Sequence, residues 1–416
     1  MSRITQLDAL EILDSRGRPT LAVTIGLDDR VLETASVPSG VSTGRAEAKE
    51  LRDQNKRYRG LGTRTAVANV CGPIAAALLD RDFTDQDSFD RTLIELDATP
   101  DKSQFGANAI LATSLAFARA TARLGRIELF EYFASLVANE KPTLPQLTVN
   151  LFSGGKHAFG QVAIQDVMVV PLETATIADS LAIVYEIYQS AADLVSRKYN
   201  SRALTADEGG LAPPFRHSSE MLESAAEAID TAGYRIGKDV ALAVDVAASH
   251  FLQGQKYHLD GQDLAAEDLI DIIDRWTKEF PIVSVEDGLA EDDWDHWPKL
   301  RARLESSALV LADDLTCTNP KRIRRAIELK AANALLLKLN QVGTLTEAKE
   351  AHRIAREAGW QISISARSGE TEDHWLADLA VGWSGDFIKV GSITQSERLA
   401  KYNRLLRIEH DWRSRG

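Results

Sequence analysis

The sequence predicts an α/β protein in two parts. An N-terminal α+β domain spans residues 1–135, and a (β/α)8 TIM-like barrel spans 140–416. Three observations carry this. The chain has 416 residues, 44% of them hydrophobic, enough for a sizeable core and for more than one module. Its pattern changes at EKPTLPQ (140–146), a two-proline stretch without periodicity that reads as a linker. Beyond it, short apolar runs alternate with amphipathic segments, and six of those runs end in a charge.

The elements follow in order. LAVTIGL (21–27) reads as a strand. SVPSGVSTGRAEAKELRD (36–53) reads as a Ser/Gly-rich loop running into a helix. FGANAILATSLAFARATARL (105–124) reads as a long helix whose small residues permit close packing. In the second part, ALAVD ends at Asp245, IVSVE at Glu286, LVLAD at Asp313, ALLLK at Lys338, QISISAR at Arg367 and DFIK at Lys389. Subtracting successive numbers gives 41, 27, 25, 29 and 22 residues, room each time for a helix and its loops. Such alternation implies parallel strands with crossover helices, and this barrel works at the C-terminal ends of its strands. One charged strand end is a solvated terminus. Three acids followed by three bases read as a site.

The bulk composition narrows the class. Net charge is −13, from 61 acids and 48 bases, which argues against nonspecific binding to nucleic acid or anionic membranes. Two cysteines, Cys71 and Cys317, are too few for a disulfide framework or a Cys-rich zinc site. The opening MSRITQLDALEILDSRG has no apolar signal core, and no charge-free apolar run is long enough to span a bilayer. A cytoplasmic protein is expected.

Asp245, Glu286 and Asp313 come from consecutive strands and are expected to converge. Clustered carboxylates repel unless a cation neutralises them, and hard oxygen ligands suit Mg²⁺. The competing reading is a set of salt bridges to Lys338, Arg367 and Lys389. Asp287 and Asp314 are expected to face away or cap the next helix. Lys338, near a metal and a second lysine, is expected to lose proton affinity and serve as a base. Arg367 with Ser368 offers a fork and a hydroxyl for phosphate or carboxylate. Lys389 can pair with a substrate carboxylate. Three further stretches are candidates: His157 in SGGKHAFG (153–160), Glu208 in TADEGGLAPP (205–214), and the Gln165–Asp166 pair in IQDVMVVP (164–171). A polar pair inside an apolar run is costly unless hydrogen-bonded or functional.

Several of these residues lie within stretches that together resemble the enolase family nearly end to end. They are EILDSRGRPT, VPSGVSTG (37–44), KSQFGANAIL (102–111), DEGG (207–210), DVAAS (245–249), ADDLTCTNPKRI (312–323), LLLKLNQVGTLTEA (335–348), RSGETED (367–373) and SERLAKYNRLLRIE (396–409). The resemblance implies a homodimer or larger assembly and abstraction of the C2 proton of a small phosphorylated carboxylate such as 2-phosphoglycerate. It implies a first Mg²⁺ on Asp245, Glu286 and Asp313, and a second held with help from Ser39 once substrate arrives. Lys338 matches the general base, and Glu208 the acid that assists loss of the C3 hydroxyl. Arg367 and Ser368 match the phosphate binders. Lys389 and His157 match substrate-binding groups. The Gln165–Asp166 pair stands where the family has Gln-Glu, with Asp166 on the catalytic side.

The sequence departs from the family around the acid side. Ala366 stands where enolases have histidine, Asp166 is one methylene shorter than the usual glutamate, GGKHAFG replaces a Gly-Gly-Ser-His-Ala-Gly-Asn loop, and Gly288 replaces a proline. Three readings follow. One is a working enolase relying on Glu208. Another is a paralogue handling a phosphoenolpyruvate analogue, for example a carboxyphosphonoenolpyruvate synthase of phosphinate biosynthesis. The third is a noncatalytic binding protein on this scaffold.

Overall fold

A computed structural model describes residues 2–40, 43–137 and 141–415. Val41 and Ser42 of the VPSGVSTG stretch, and Glu140 of the linker stretch, lie outside the described residues.

The first part is a sheet covered by helices. Strands β1 (Ser2–Leu13), β2 (Pro19–Leu27) and β3 (Val31–Ser36) pair antiparallel in the order β3-β2-β1. A short strand, Asp82–Phe83, adds to β1. Helix α1 (Gln86–Asp97) starts at Asp85, whose carboxylate accepts from the Ser88 N–H. Helix α2 (Ala107–Leu124) is buried along most of its length, as its alanines allow, and packs on β2 and β3. Phe89 and Phe117 stack at 4.0 Å between α1 and α2.

The helix expected within 36–53 does not form: the described residues 43–53 are irregular. Their backbone N–H groups find partners elsewhere. Ala48 donates to the Gln341 carbonyl at 2.8 Å, Lys49 to Asp101 at 2.7 Å, and Leu51 to the Asn108 side chain at 3.1 Å. Tertiary partners thus satisfy donors that a helix would have satisfied. The consequence is functional, because this segment reaches the barrel mouth with Glu47.

The second part is a closed eight-stranded barrel. Its strands are β4 (Gln146–Ser153), β5 (Asp166–Pro171), β6 (Val240–Asp245), β7 (Ile282–Glu286), β8 (Leu309–Ala312), β9 (Ala334–Leu337), β10 (Gln361–Ser365) and β11 (Phe387–Gly391). Neighbours from β6 through β11 and on to β4 are parallel, as expected. The exception is β5, antiparallel to both β4 and β6. Residues 154–165 between β4 and β5 form only one 3-10 turn and no crossover helix, so the chain turns straight back. This reversal brings the start of β5 to the rim where its neighbours end. Asp166 therefore pairs across β4 with Ser153 and across β6 with Asp245.

The two parts meet along a packed seam. Trp383 is fully buried and its indole N–H donates to the Phe133 carbonyl at 3.1 Å. Thr346 donates its backbone N–H and its hydroxyl to Asp90 Oδ2, at 2.9 and 2.8 Å. No helix of the described residues is long and apolar enough to cross a membrane.

Candidate active site at the barrel mouth

A cleft at the C-terminal ends of the barrel strands is lined by His157, Gln165, Glu208, Asp245, Asp313, Lys338, Arg367, Ser368 and Lys389. Nine of the twelve residues singled out from the sequence thus share one cleft. Glu286 lies just beneath, in the barrel interior beside Lys389. Asp166 is fully buried behind His157.

Ser39 is placed differently. Its hydroxyl donates to Glu50 Oε2 at 3.0 Å and accepts from Arg52 at 2.5 Å. Its backbone pairs with Gly369, one residue beyond Ser368, so the loop is docked on the clamp while its hydroxyl is engaged elsewhere.

The charges at the strand ends are paired in a definite pattern. Lys389 Nζ lies 2.9 Å from Asp245 Oδ2 and 2.7 Å from Glu286 Oε2. Lys338 contacts Asp313 Oδ2. Arg367 pairs with Glu47 at 2.8 Å and donates to the Asn340 side-chain oxygen at 3.2 Å. Their carboxylate partners set the lysine proton affinities. Burial works against the Lys338 charge, but the Asp313 carboxylate outweighs it, and the pKa is raised rather than lowered. For Lys389, Asp245 and Glu286 overcome burial in the same way.

The acids nonetheless exceed the cations available to them. Burial, then repulsion from Asp245, lifts Glu286 well above the usual carboxylate range. Burial and the neighbouring Asp313 lift Asp314 to about 8. Burial and Asp314 likewise raise Asp287. Asp287 and Asp314 were expected to face away, yet both line the cleft. Asp287 also accepts the backbone N–H groups of Asp313 and Asp314, at 3.0 and 2.8 Å, which fixes the turn after β8. Ligand atoms of Asp287, Asp313 and Asp314 lie within 4.8 Å of one another.

A hard cation fits this set. All the donors are oxygens, and the carboxylates resist simultaneous ionisation. A further observation agrees. Gln165 donates through Nε2 to Asp245 Oδ2 at 3.0 Å, while its own Oε1 is buried without a hydrogen-bond partner among the described residues. An unused acceptor beside ionised acids suits a cation or a ligand hydroxyl.

On the other flank, His157 Nδ1 lies 3.2 Å from Asp166 Oδ2 and Nε2 lies 3.7 Å from Glu208 Oε1. Asn150 donates to Glu208 Oε2 at 3.1 Å, and Ser153 donates to Asp166 Oδ1 at 2.5 Å. Ala366, also in the cleft lining, presents only a methyl.

Sequence reasoning missed several supporting groups. Glu47 and Asn340 hold Arg367. Gln341 donates to Asp313 Oδ1 at 2.9 Å. Arg16 donates to Ser368 Oγ at 3.2 Å and pairs with Asp14. Gly369 lets that pair approach, since a Cβ there would meet Asp14 Oδ2 at 2.3 Å and Arg16 Nη2 at 2.2 Å. Arg398 is fully buried and donates to the carbonyls of Arg367 and Ser368, at 2.7 and 2.6 Å. Arg16 and Arg398 stand in quoted motifs, EILDSRGRPT and SERLAKYNRLLRIE, and could have been flagged there. Glu47 carried no signal, because its stretch read as helix.

Comparison with known proteins agrees along the chain. The family model described as "Enolase, N-terminal domain" matches residues 4–133. The one described as "Enolase, C-terminal TIM barrel domain" matches 141–416. A curated relative named "Enolase", from Acidothermus cellulolyticus, is 45% identical over 411 residues, covering 99% of this chain and 95% of that protein.

Proposed function

The chain belongs to the enolase family of hydro-lyases, which dehydrate 2-phosphoglycerate to phosphoenolpyruvate, and on that premise we propose how its residues divide the work. Arg367 and Ser368 take the substrate phosphate, displacing part of the Glu47 contact. Lys338 removes the C2 proton. Lys389 pairs with the substrate carboxylate. Glu208 and Asp166 serve the departing C3 hydroxyl, with His157 and Gln165 binding alongside. Asp245, Glu286 and Asp313 would hold Mg²⁺, and Ser39 would contribute to a second ion. When bound, such ions neutralise the crowded acids and the negative charge that builds on the substrate carboxylate after proton loss.

The observation that supports this division is a shared cleft. Lys338, the Arg367–Ser368 pair, Glu208 and the acids Asp245 and Asp313 face the same space. Fixing the phosphate fixes C2 relative to the lysine, which turns an improbable encounter into a positioned one. The comparisons give no support to the paralogue or noncatalytic readings. We further propose a homodimer or larger assembly located in the cytoplasm. Leu10 (66% exposed) and Leu32 (58%), on β1 and β3, offer apolar surface to such an assembly.

The test is direct. With 2-phosphoglycerate, phosphoenolpyruvate formation is expected with Mg²⁺ and is expected to vanish after chelation. Metal-independent turnover, or none at all, overturns the proposal.

A further inference from the structure

The reversal between β4 and β5 has two sides. Its 3-10 turn, Gly155–Ala158, presents His157 to the catalytic cleft. Lys156 and Phe159, on either side of that turn's histidine, instead line a second cavity of about 660 Å³. That volume lies within the usual range for small-molecule sites. Arg216 and three residues that follow β6, His250, Phe251 and His258, form the rest of the wall used here. None of these residues lines the catalytic cleft.

The charge of this cavity runs against that of the chain, whose net charge is −13. Lys156 and Arg216 are exposed, and neither has an ion-pair partner among the described residues. The lining acid Asp260 accepts from the Ser218 N–H and hydroxyl at 2.8 and 2.9 Å, so its oxygens are already engaged. His258 pairs with Asp263. Burial, then Lys156, pushes His250 down to about 4, leaving a neutral ring able to hydrogen-bond. Two unpaired cations at one cavity attract an anion, and the Arg216 fork suits phosphate. The aromatic groups add a second demand. Phe159 is fully exposed and held at φ 58°, an uncommon backbone for a bulky residue. Phe251 lines the same space. Phenyl rings beside a phosphate site suit a flat, aromatic ligand ring.

We infer that this cavity binds a mononucleotide, with its phosphate on Lys156 and Arg216 and its base against Phe159 and Phe251, and that the bound nucleotide steadies the turn carrying His157. The site itself goes beyond the dehydration reading. Only the coupling rests on it, through the substrate-binding role proposed for His157.

The coupling follows from the shortness of the turn. Ala158 N–H donates to the Gly154 carbonyl at 3.0 Å, and Gly160 N–H to the Gly155 carbonyl at 2.6 Å. Lys156, His157 and Phe159 therefore move together. Gln161 Nε2 donates to the Pro213 carbonyl at 2.7 Å, tying the turn to the segment that bears Arg216. His157 already lines the cleft in this conformation. A nucleotide that holds the turn here favours substrate binding, and substrate tightens the nucleotide by the same factor.

The test uses the full chain with Mg²⁺ and adenosine monophosphate as the probe, with inorganic phosphate and adenosine in parallel. Calorimetry reads binding without turnover, so the site stands or falls separately from the dehydration reading. The nucleotide is expected to bind with a Kd below about 1 mM, at least about ten-fold tighter than phosphate or adenosine. Binding is expected to persist with saturating 2-phosphoglycerate, and the nucleotide to lower KM for that substrate by about five-fold. Arg216→Gln and Phe159→Ala are each expected to weaken nucleotide binding at least about ten-fold, with KM in its absence within about two-fold of wild type. No binding up to about 10 mM overturns the site. So does displacement by 2-phosphoglycerate, which would put the nucleotide in the catalytic cleft. Phosphate binding as tightly as the nucleotide overturns the assignment of the ligand, and nucleotide binding with an unchanged KM overturns the coupling.

Discussion

Truncation of Lys338 to alanine is the sharpest perturbation of the proposed chemistry. The side chain follows β9 into the cleft, is 12% exposed, and contacts Asp313. Removal deletes the proposed base. General bases contribute about 10²- to 10⁴-fold, so C2–H exchange is expected to fall by at least that factor, about 3 to 5 kcal/mol of barrier. A second effect is structural. Asp313 would keep Gln341 as a donor at 2.9 Å, but would lose its ion-pair partner beside Asp287 and Asp314. Breaking a buried pair costs on the order of 3–5 kcal/mol. A cation on the same acids would offset much of that loss. The destabilisation of Lys338→Ala is therefore expected to be larger in chelator than in Mg²⁺. Exchange is followed by proton NMR in deuterated water, and stability by urea unfolding with and without Mg²⁺. Exchange within about ten-fold of wild type would refute the base assignment. A stability loss equal in both conditions would refute the link between Lys338 and the cation site.

Three further outcomes are expected. Arg367→Lys replaces a fork with a point charge, and should raise KM for 2-phosphoglycerate by about ten-fold to a hundred-fold with a smaller effect on kcat, read from steady-state kinetics. Trp383→Ala empties a fully buried site and removes the hydrogen bond to Phe133, and should cost about 3–5 kcal/mol in denaturant unfolding. Asp90 is raised to about 6 by burial, against the lowering effect of its Ser114 and Thr346 partners. Between about pH 4 and about pH 6 the folded chain therefore binds more protons here than the unfolded chain. This group's contribution to stability falls as pH rises through that window. Asp90→Asn should remove that part of the slope, so the wild-type-minus-variant difference should drift by on the order of 3 kcal/mol, measured by unfolding across that range.

Much of the site was legible because strand-end charges are a local signal. Asp245, Asp313, Lys338, Arg367 and Lys389 each end or follow an apolar run, and a barrel sends such ends to one face. What they do to one another was less legible. Lys338 was expected to lose proton affinity beside a metal ion and a second lysine, and no local pattern announced its contact with Asp313, which works in the other direction. Asp287 and Asp314 were expected to face away, yet the turns after β7 and β8 bring both into the cleft. The helix expected after VPSGVSTG failed for a related reason. Propensity weighs only local partners, while Ala48, Lys49 and Leu51 satisfy their N–H groups across the fold.

By itself the sequence determined the two-part α/β architecture, the barrel, and the residue types gathered at its mouth, because hydrophobic periodicity and charge placement are written in order along the chain. Only the tertiary structure decided the direction of β5, and with it the meeting of Ser153, Asp166 and His157. It also brought Glu47 to Arg367 and Arg16 to Ser368, between residues 320 and 352 positions apart. Such contacts depend on where the folded chain returns to itself, and no local pattern encodes that distance.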